Sequence, residues 1–558
     1  MLSGEIFKQY EQGMTFKQTL GEKGLCEQSR INERFFVGDQ WYGAKCGADR
    51  PLVRHNIIRR IADYKMSMIG AGNVAVRYAA DGVPDTRDLR RDAEALRSML
   101  AAGRFDFDTV GGDPSGAELS LVMAALGDYF QTTAERVRLP MLCERVLRDA
   151  YCSGTGVLYT YWDDTVRTGL YADRACQHPI RGDIACQVLD IENVVFGDPN
   201  LDDVQRQPYI LLAERVGVDE LKRQARRYGR GKAEIEAIVP DEEPGSFCTA
   251  EAAHSRKALV LTKLWKEYAP DGESYRIKGV RVTKGAVIRP EWDLNLQLYP
   301  LAKFSWDARK NCAYGESEVT WLIPNQIAVN RMLTASVWAV MMQGMPVLLV
   351  NGDVVSEPVS NDPGQVIRIC GSSDEMAGAM RYVNPPAFAP ALENSIASMI
   401  DNTLRQAGAT DAALGDVRPD NASAIIAIRE AATRPLQMVR GRYYAFYEEV
   451  ARIWADFWVN LYGDRSLKIR DSFGTWYLPF RAERYRTCAI TAQVDVGAST
   501  LWSQAASLQT LDGLLDKGVI TTQEYLKRLP QGVIPDVAEL LRTRAEKEVP
   551  PDDGTAGV

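Results

Sequence analysis

Strand-like sequence lies on both sides of a long helical excursion, and that order constrains the fold more than any single motif. Before residue 310, Val157–Trp162 and Cys186–Ile191 read as strands, with further strands at 209–214, 258–268, 274–291 and 301–306. Their apolar, β-branched and aromatic residues are bounded by turn formers such as Asp163-Asp164 and Asp198-Pro199. Strands return at 467–470, 475–480 and 487–495. Between the two sets the hydrophobic period changes to three and four. A chain that leaves a strand-rich domain and comes back to it carries an insertion, so the expected class is α+β.

The helices are legible from spacing. Residues 1–115 read as short helices and loops, with an aromatic turn over Glu33–Gly43 and an amphipathic helix through His55, Ile57, Ile58, Ile61, Met66 and Met68. A helical stretch from Glu118 to Tyr151 is predicted to break at Pro140. The excursion opens near Ser317, a candidate N-cap, and Pro324 is expected to kink its first helix, which ends at Gln343-Gly344. Short strands and turns fill 345–390, and a second helix covers Ala391–Gln406. After a small polar loop, Asn421 is placed to cap the longest helix, Ala422–Leu461, with Pro435 expected to bend it. Leu436, Val439, Tyr443, Phe446, Val450, Ile453 and Phe457 form its apolar seam. Helices at 501–516, 522–529 and 535–547 close the chain, before a polar tail that reads as disordered.

Enzyme chemistry finds little support. Among 558 residues there is no G-x-x-x-x-G-K-[ST], no H-E-x-x-H and no G-x-S-x-G. Gly154-Thr155-Gly156 precedes a strand and lacks the third glycine of a dinucleotide fingerprint. There are three histidines and ten cysteines, none in a C-x-x-C. Cys176, His178 and Cys186 are the nearest thing to a metal cluster, with looser spacing than zinc sites show. No catalytic residue, cofactor or metal is therefore expected. Asp198, Asp202 and Asp203 read as an acidic turn or a cation site, and Lys222, Arg223, Arg226, Arg227, Arg230 and Lys232 as a solvated helix face or a contact for an acidic partner. The apolar stretch Trp321–Val350 contains Asn325, Gln326, Asn330, Arg331 and Gln343, which a membrane span tolerates poorly. The first eight residues lack the pattern of a secretory signal.

Three stretches carry a family resemblance: Phe36-Val37-Gly38-Asp39-Gln40-Trp41; Tyr314-Gly315-Glu316-Ser317-Glu318 followed by Gln326 and Asn330; and Gly518–Glu524 with Leu529-Pro530 and Asp536–Glu539. In their order and spacing the chain resembles the portal proteins of tailed bacteriophages over nearly its whole length. The resemblance implies a portal fold: a wing (1–315, with 464–498 returning to it), stem helices (316–344 and 391–408), a β-containing clip (345–390), a tunnel loop (409–421), a long kinked helix (422–463) and a helical crown (499–548), with 549–558 as a disordered tail. It implies a homo-oligomeric ring, usually a dodecamer, at one capsid vertex of the virion, made in the host cytoplasm and without a membrane. Double-stranded DNA would pass through the channel during packaging and ejection. The partners implied are the terminase large subunit, a head-tail adaptor, and the major capsid and scaffolding proteins. Asp411, Asp416, Arg418, Asp420 and Asn421 map onto the DNA-facing loop, and Arg331, Trp338 and Met341 onto the stem between subunits. Other readings are another virion structural protein, of tail or capsid, and a packaging enzyme, which would need the absent phosphate loop.

Charge fits a conduit better than a reader of DNA. The chain has 66 basic and 74 acidic residues, a formal net charge of −8. Residues 316–430 hold 13 acidic residues, six arginines and no lysine, so most of the excess lies in the excursion. Phosphate binding needs clustered Lys and Arg, whereas an acidic wall repels the backbone.

Overall fold

The computed structural model describes residues 2–43, 52–70, 74–80, 116–171, 179–241, 256–344 apart from 271 and 273, 347–353, scattered positions from 355 to 379, 380–383, 390–409, 434–471, 474–496 apart from 487, 511–521 and 525. The chain divides into two compact units. The first is built from 1–29, 65–318 and 420–558, and the second from 30–64 and 319–419. Neither is one continuous piece of sequence.

Three helices open the chain: α1 (Leu2–Thr19), α2 (Leu25–Val37) and α3 (Ile57–Gly70). A strand follows, β1 (Val74–Ala80), where the sequence reads as helices and loops. Its seven residues include three alanines, too weak a β signal to stand out, and its partner is the distant strand 490–496. Next come α4 (Gly116–Val137) and α5 (Leu139–Ser153). The break falls at Arg138, whose φ of 56° and ψ of 46° end one helix and start the next. Pro140 then sits in the first turn of α5, where a missing N–H costs nothing.

The long hairpin of β2 (Thr155–Tyr171) and β3 (Pro179–Leu189) takes β9 (Leu301–Ser305) on its other edge, in the order β3-β2-β9. Between them the chain builds a five-stranded antiparallel sheet in sequence order: β4 (Val194–Phe196), β5 (Tyr209–Gly217), β6 (Lys257–Tyr268), β7 (Tyr275–Thr283) and β8 (Val287–Asp293). The single strand expected over 274–291 is thus two. Lys284 and Gly285 turn the chain, and Thr283 N–H donates to the Ala286 carbonyl at 2.8 Å. Helices α6 (Val218–Arg227) and α7 (Lys232–Glu236) follow β5. Alternation along the strands gives the sheet two apolar faces. Leu211, Leu261, Val280 and Val282 pack with Ile6, Phe7, Tyr10 and Met14 of α1, whereas Val260 and Ile288 pack with Val218, Leu221 and Ala225 of α6.

The excursion consists of α8 (Glu318–Gly344), β10 (Val347–Val350), β11 (Met380–Val383) and α9 (Pro390–Gln406). Strands β10 and β11 pair antiparallel, Val347 opposite Val383. Pro324 lies inside α8, which runs on through it as one helix. Ser317 is buried just before α8 and gives its hydroxyl proton to the Tyr151 carbonyl at 2.6 Å.

Then come α10 (Gln437–Leu461), β12 (Asp464–Asp471), β13 (Gly474–Arg481) and β14 (Ile490–Val496), the partner of β1. Pro435 stands in the 3₁₀ turn Arg434–Leu436 immediately ahead of α10. The beginning of the predicted helix, 422–433, lies outside the described residues, as do most of 499–548 and all of 549–558. The anticipated seam of α10 is the centre of the first unit's core. Tyr443, Phe446, Val450, Ile453, Trp454, Phe457 and Trp458 are all buried. Trp458 meets Tyr78 of β1 and Tyr129 of α4 edge to face, and Phe446 and Tyr443 meet Phe304 of β9. One helix thereby ties three separate parts of the sequence together through aromatic contacts.

Gly154, with φ of 84°, joins α5 to β2. Its position allows a backbone approach that no side chain would permit: an added Cβ would lie within 3.0 Å of the Gly315 and Glu316 backbone. Across that contact Gly315 N–H donates to Thr155 Oγ1 at 2.7 Å, and Trp306 N–H to the Gly154 carbonyl at 3.0 Å. The Tyr314–Glu318 stretch is therefore fixed by backbone geometry immediately before α8.

Candidate functional site

Within the second unit, α8 is the platform. Gln326, Asn330 and Thr334 recur every four residues, so they share one face of the helix. All three are buried, and all three grip the segment leading into α3. Gln326 Oε1 accepts Ile57 N–H at 2.9 Å and Ile58 N–H at 3.3 Å, while its Nε2 donates to the His55 carbonyl. Asn330 Oδ1 accepts His55 N–H at 2.9 Å, and Thr334 Oγ1 accepts Val53 N–H at 3.1 Å. The first turn of a helix leaves N–H groups without partners inside the helix. Here Gln326 supplies acceptors for two of them, and Asn56 Oδ1 supplies another to Arg59 N–H at 2.9 Å.

The Phe36–Trp41 stretch joins the same network. Asn330 Nδ2 donates to the fully buried Gln40 Oε1 at 2.7 Å, and Trp41 Nε1 donates to the Val53 carbonyl at 3.0 Å. Gly38 has φ of 115°, which lets the chain reverse after α2. Two of the stretches that carry the family resemblance therefore meet side chain to side chain, although nearly 300 residues separate them. Their pairing was not legible in sequence. The four-residue spacing of polar groups in an otherwise apolar helix was the available sign.

The other faces of α8 are open. Of the predicted stem residues, Arg331 and Met341 are exposed and Trp338 is half-buried. Trp321, Val337 and Val340 are also exposed, and on the hairpin so are Leu349 and Val350. Apolar side chains exposed in such a run make this face a candidate interaction surface. Beside α8 runs a groove of about 550 Å³, lined by Asn325 and, from α9, by Asn394, Ser395, Ser398, Met399, Asn402, Thr403 and Gln406. Every lining residue is uncharged. On α9 itself Asp401 is neutralised by Arg405, at 2.9 Å. Sequence reasoning did not find this groove, because its polar row at 394, 398, 402 and 406 reads as an ordinary solvated helix face.

Asp411, Asp416, Arg418, Asp420 and Asn421 lie outside the described residues, as do Cys176 and His178. Cys186 is half-buried on β3, where burial pushes its thiol up to about 11. The aspartates near residue 200 act as turn formers: Asp198 Oδ1 accepts Asn200 N–H, Asp203 Oδ1 accepts Gln205 N–H, and Asp202 pairs with Lys303. The basic run on α6 is a solvated face, with Val218, Leu221 and Ala225 turned inward. Arg223 pairs with Glu220, Arg227 with Asp164, and Arg230 with Glu234.

Lys17, fully buried, and Asp456, half-buried, both in the first unit, carry large shifts. Burial lowers Lys17 to about 8, and its ammonium donates to the Ile191 and Glu192 carbonyls at 2.7 and 2.9 Å. Burial raises Asp456 of α10 to about 6, although Gln297 and Leu298 N–H groups both donate to it at 2.9 Å. Each holds loop backbone in place, which is a structural use.

No protein-family model matches the chain, and no curated protein matches it. Among the described residues no helix is long and apolar enough to cross a membrane, and no group of His, Cys, Asp and Glu is arranged to hold a metal ion.

Proposed function

We propose that this chain is a phage portal protein: a ring-forming subunit at a unique capsid vertex, through which double-stranded DNA is packaged and ejected. The observation that carries this reading is the discontinuous construction. A helix pair bracketing a small β-hairpin forms one unit with residues 30–64, while the chain on both sides of it forms the other. The family resemblance implies such an excursion from one domain and back, although it counts residues 30–64 with the wing and not with the excursion. Supporting the proposal, the Phe36–Trp41 stretch is bonded to the middle of α8, and α8 exposes Trp321, Val340 and Met341 as a helix covered by neighbouring subunits would. Acidic residues outnumber basic ones by seven over 316–430, which suits a channel wall that must not hold phosphates.

In this reading the chain is not an enzyme. The motor would be a separate terminase docked on the clip, a surface that the tail adaptor later takes. The loop 409–421, with Asp411, Asp416, Arg418, Asp420 and Asn421, would approach the DNA. Negative-stain images of the purified chain test the proposal. Rings with a central channel are expected; a chain seen only as monomers, sheets or tubes at high concentration would overturn it.

A further inference from the structure

We infer that the groove between α8 and α9 receives the Arg331 face of α8 from a second copy of the chain; this rests on the ring reading above. Arg331 is the sole charged residue between Val319 and Gly344, and it is exposed. Among the described residues no carboxylate or carbonyl partners it. It belongs to a row, Ala328, Arg331, Ala335, Trp338 and Met342, that recurs by three and four and is nowhere fully buried. Such a row is the seam of a helix that packs on another helix, and its two alanines permit close approach.

The groove complements that row. It offers the amide and hydroxyl oxygens of Asn325, Asn394, Ser398 and Asn402, with no cation among its lining. Glu393, beside Asn394, is exposed and has no ion pair among the described residues. A guanidinium brings five donors and a positive charge to those oxygens. The same chain cannot fill its own groove in this way. Asn325, which lines it, and Arg331 are six residues apart, so they point about 120° away from each other around α8. Donor face and acceptor groove are thus different surfaces of one copy. Repeated head to tail, that contact closes into a ring when the rotation between copies divides a full turn.

The test mixes nitrogen-15-labelled and unlabelled full-length chains, each carrying the photo-crosslinker benzoylphenylalanine in place of Ser398. Assemblies are irradiated and cross-linked peptides are mapped by mass spectrometry. Cross-links between labelled and unlabelled chains that land within 324–342 are expected. Rings whose cross-links fall elsewhere, or only within one chain, would overturn the seam while leaving the ring reading intact. A chain that never assembles would remove the ring reading, and the seam with it. In parallel, Arg331→Glu should raise the concentration needed for assembly at least tenfold, and adding Glu393→Arg should restore much of it. Assembly of Arg331→Glu at the unchanged concentration would refute the charge pairing.

Discussion

Gln326 offers the sharpest test of how the second unit holds together. Its carboxamide is 1% exposed, serves two N–H groups at the start of α3 and donates to the His55 carbonyl. Replacing it with alanine leaves those groups buried without partners. Each orphaned buried group costs about 1–3 kcal/mol, the longer bond to Ile58 counting least, so a total near 3 kcal/mol is expected. By comparison Asn56→Ala, which removes the cap on Arg59 N–H and a 3.2 Å bond to the Phe36 carbonyl, should cost about 1 kcal/mol. Hydrogen exchange resolved at Ile57 and Ile58 reads the difference directly, because those amides exchange through local opening. At about 1.4 kcal/mol per factor of ten, Gln326→Ala should speed their exchange roughly a hundredfold and Asn56→Ala about fivefold. Gln326→Glu retains the acceptor but loses the donor and buries a charge, and should fall between wild type and alanine at neutral pH. If the alanine variant protects Ile57 and Ile58 as well as wild type does, the side chain is not their acceptor and the reasoning fails.

Other outcomes follow from the first unit. Lys65 and Glu318 form a buried ion pair, with Trp306 Nε1 donating to the same carboxylate at 3.0 Å; Glu318→Gln should cost about 3–5 kcal/mol, and Lys65→Met with Glu318→Leu much less, in a denaturant melt. An added Cβ on Gly13 of α1 would overlap Val195 Cγ1 on β4, so Gly13→Ala should lower stability by about 1–3 kcal/mol and Val195→Ala in the same chain should recover part of it. Asp456, raised by burial from 3.8 to about 6, holds a proton in the folded state that the unfolded chain has lost between those values. Its contribution therefore favours folding below the unfolded pKa and is lost as pH rises through about 6, by no more than roughly 3 kcal/mol. Asp456→Asn should flatten that part of the stability–pH curve; an unchanged slope between pH 4 and 6 would assign the titration to another group.

Much of the local structure was legible because its cause is local. The apolar seam of α10 and the start of the five-stranded sheet are written in spacing, and the structure keeps them. What escaped depends on partners far away in sequence. β1 has too little β character to declare itself and becomes a strand by pairing with β14. Ser317 precedes α8 as expected, but its bond to the Tyr151 carbonyl depends on a residue 166 positions away and could not be read from spacing. At the candidate site, Arg331 and Met341 stand on a largely apolar helix and are exposed, but the groove on another face of α8 needs α9 alongside before it exists. The network of Gln326 and Asn330 was visible as residues and invisible as contacts.

The pairing of β1 with β14 also sets a clock. Residue 74 stands opposite residue 496, so more than four hundred residues must be added after β1 before its partner is made. At about 5–20 residues per second, that is roughly 20 to 80 seconds of synthesis. Throughout that interval Tyr78, buried in the finished fold, waits without Trp458 and with one strand edge unpaired. The first unit therefore cannot close from its N-terminal end as the chain is made. Its last strands decide when folding finishes, and a ribosome stalled before residue 490 holds a chain whose first strand still lacks its partner.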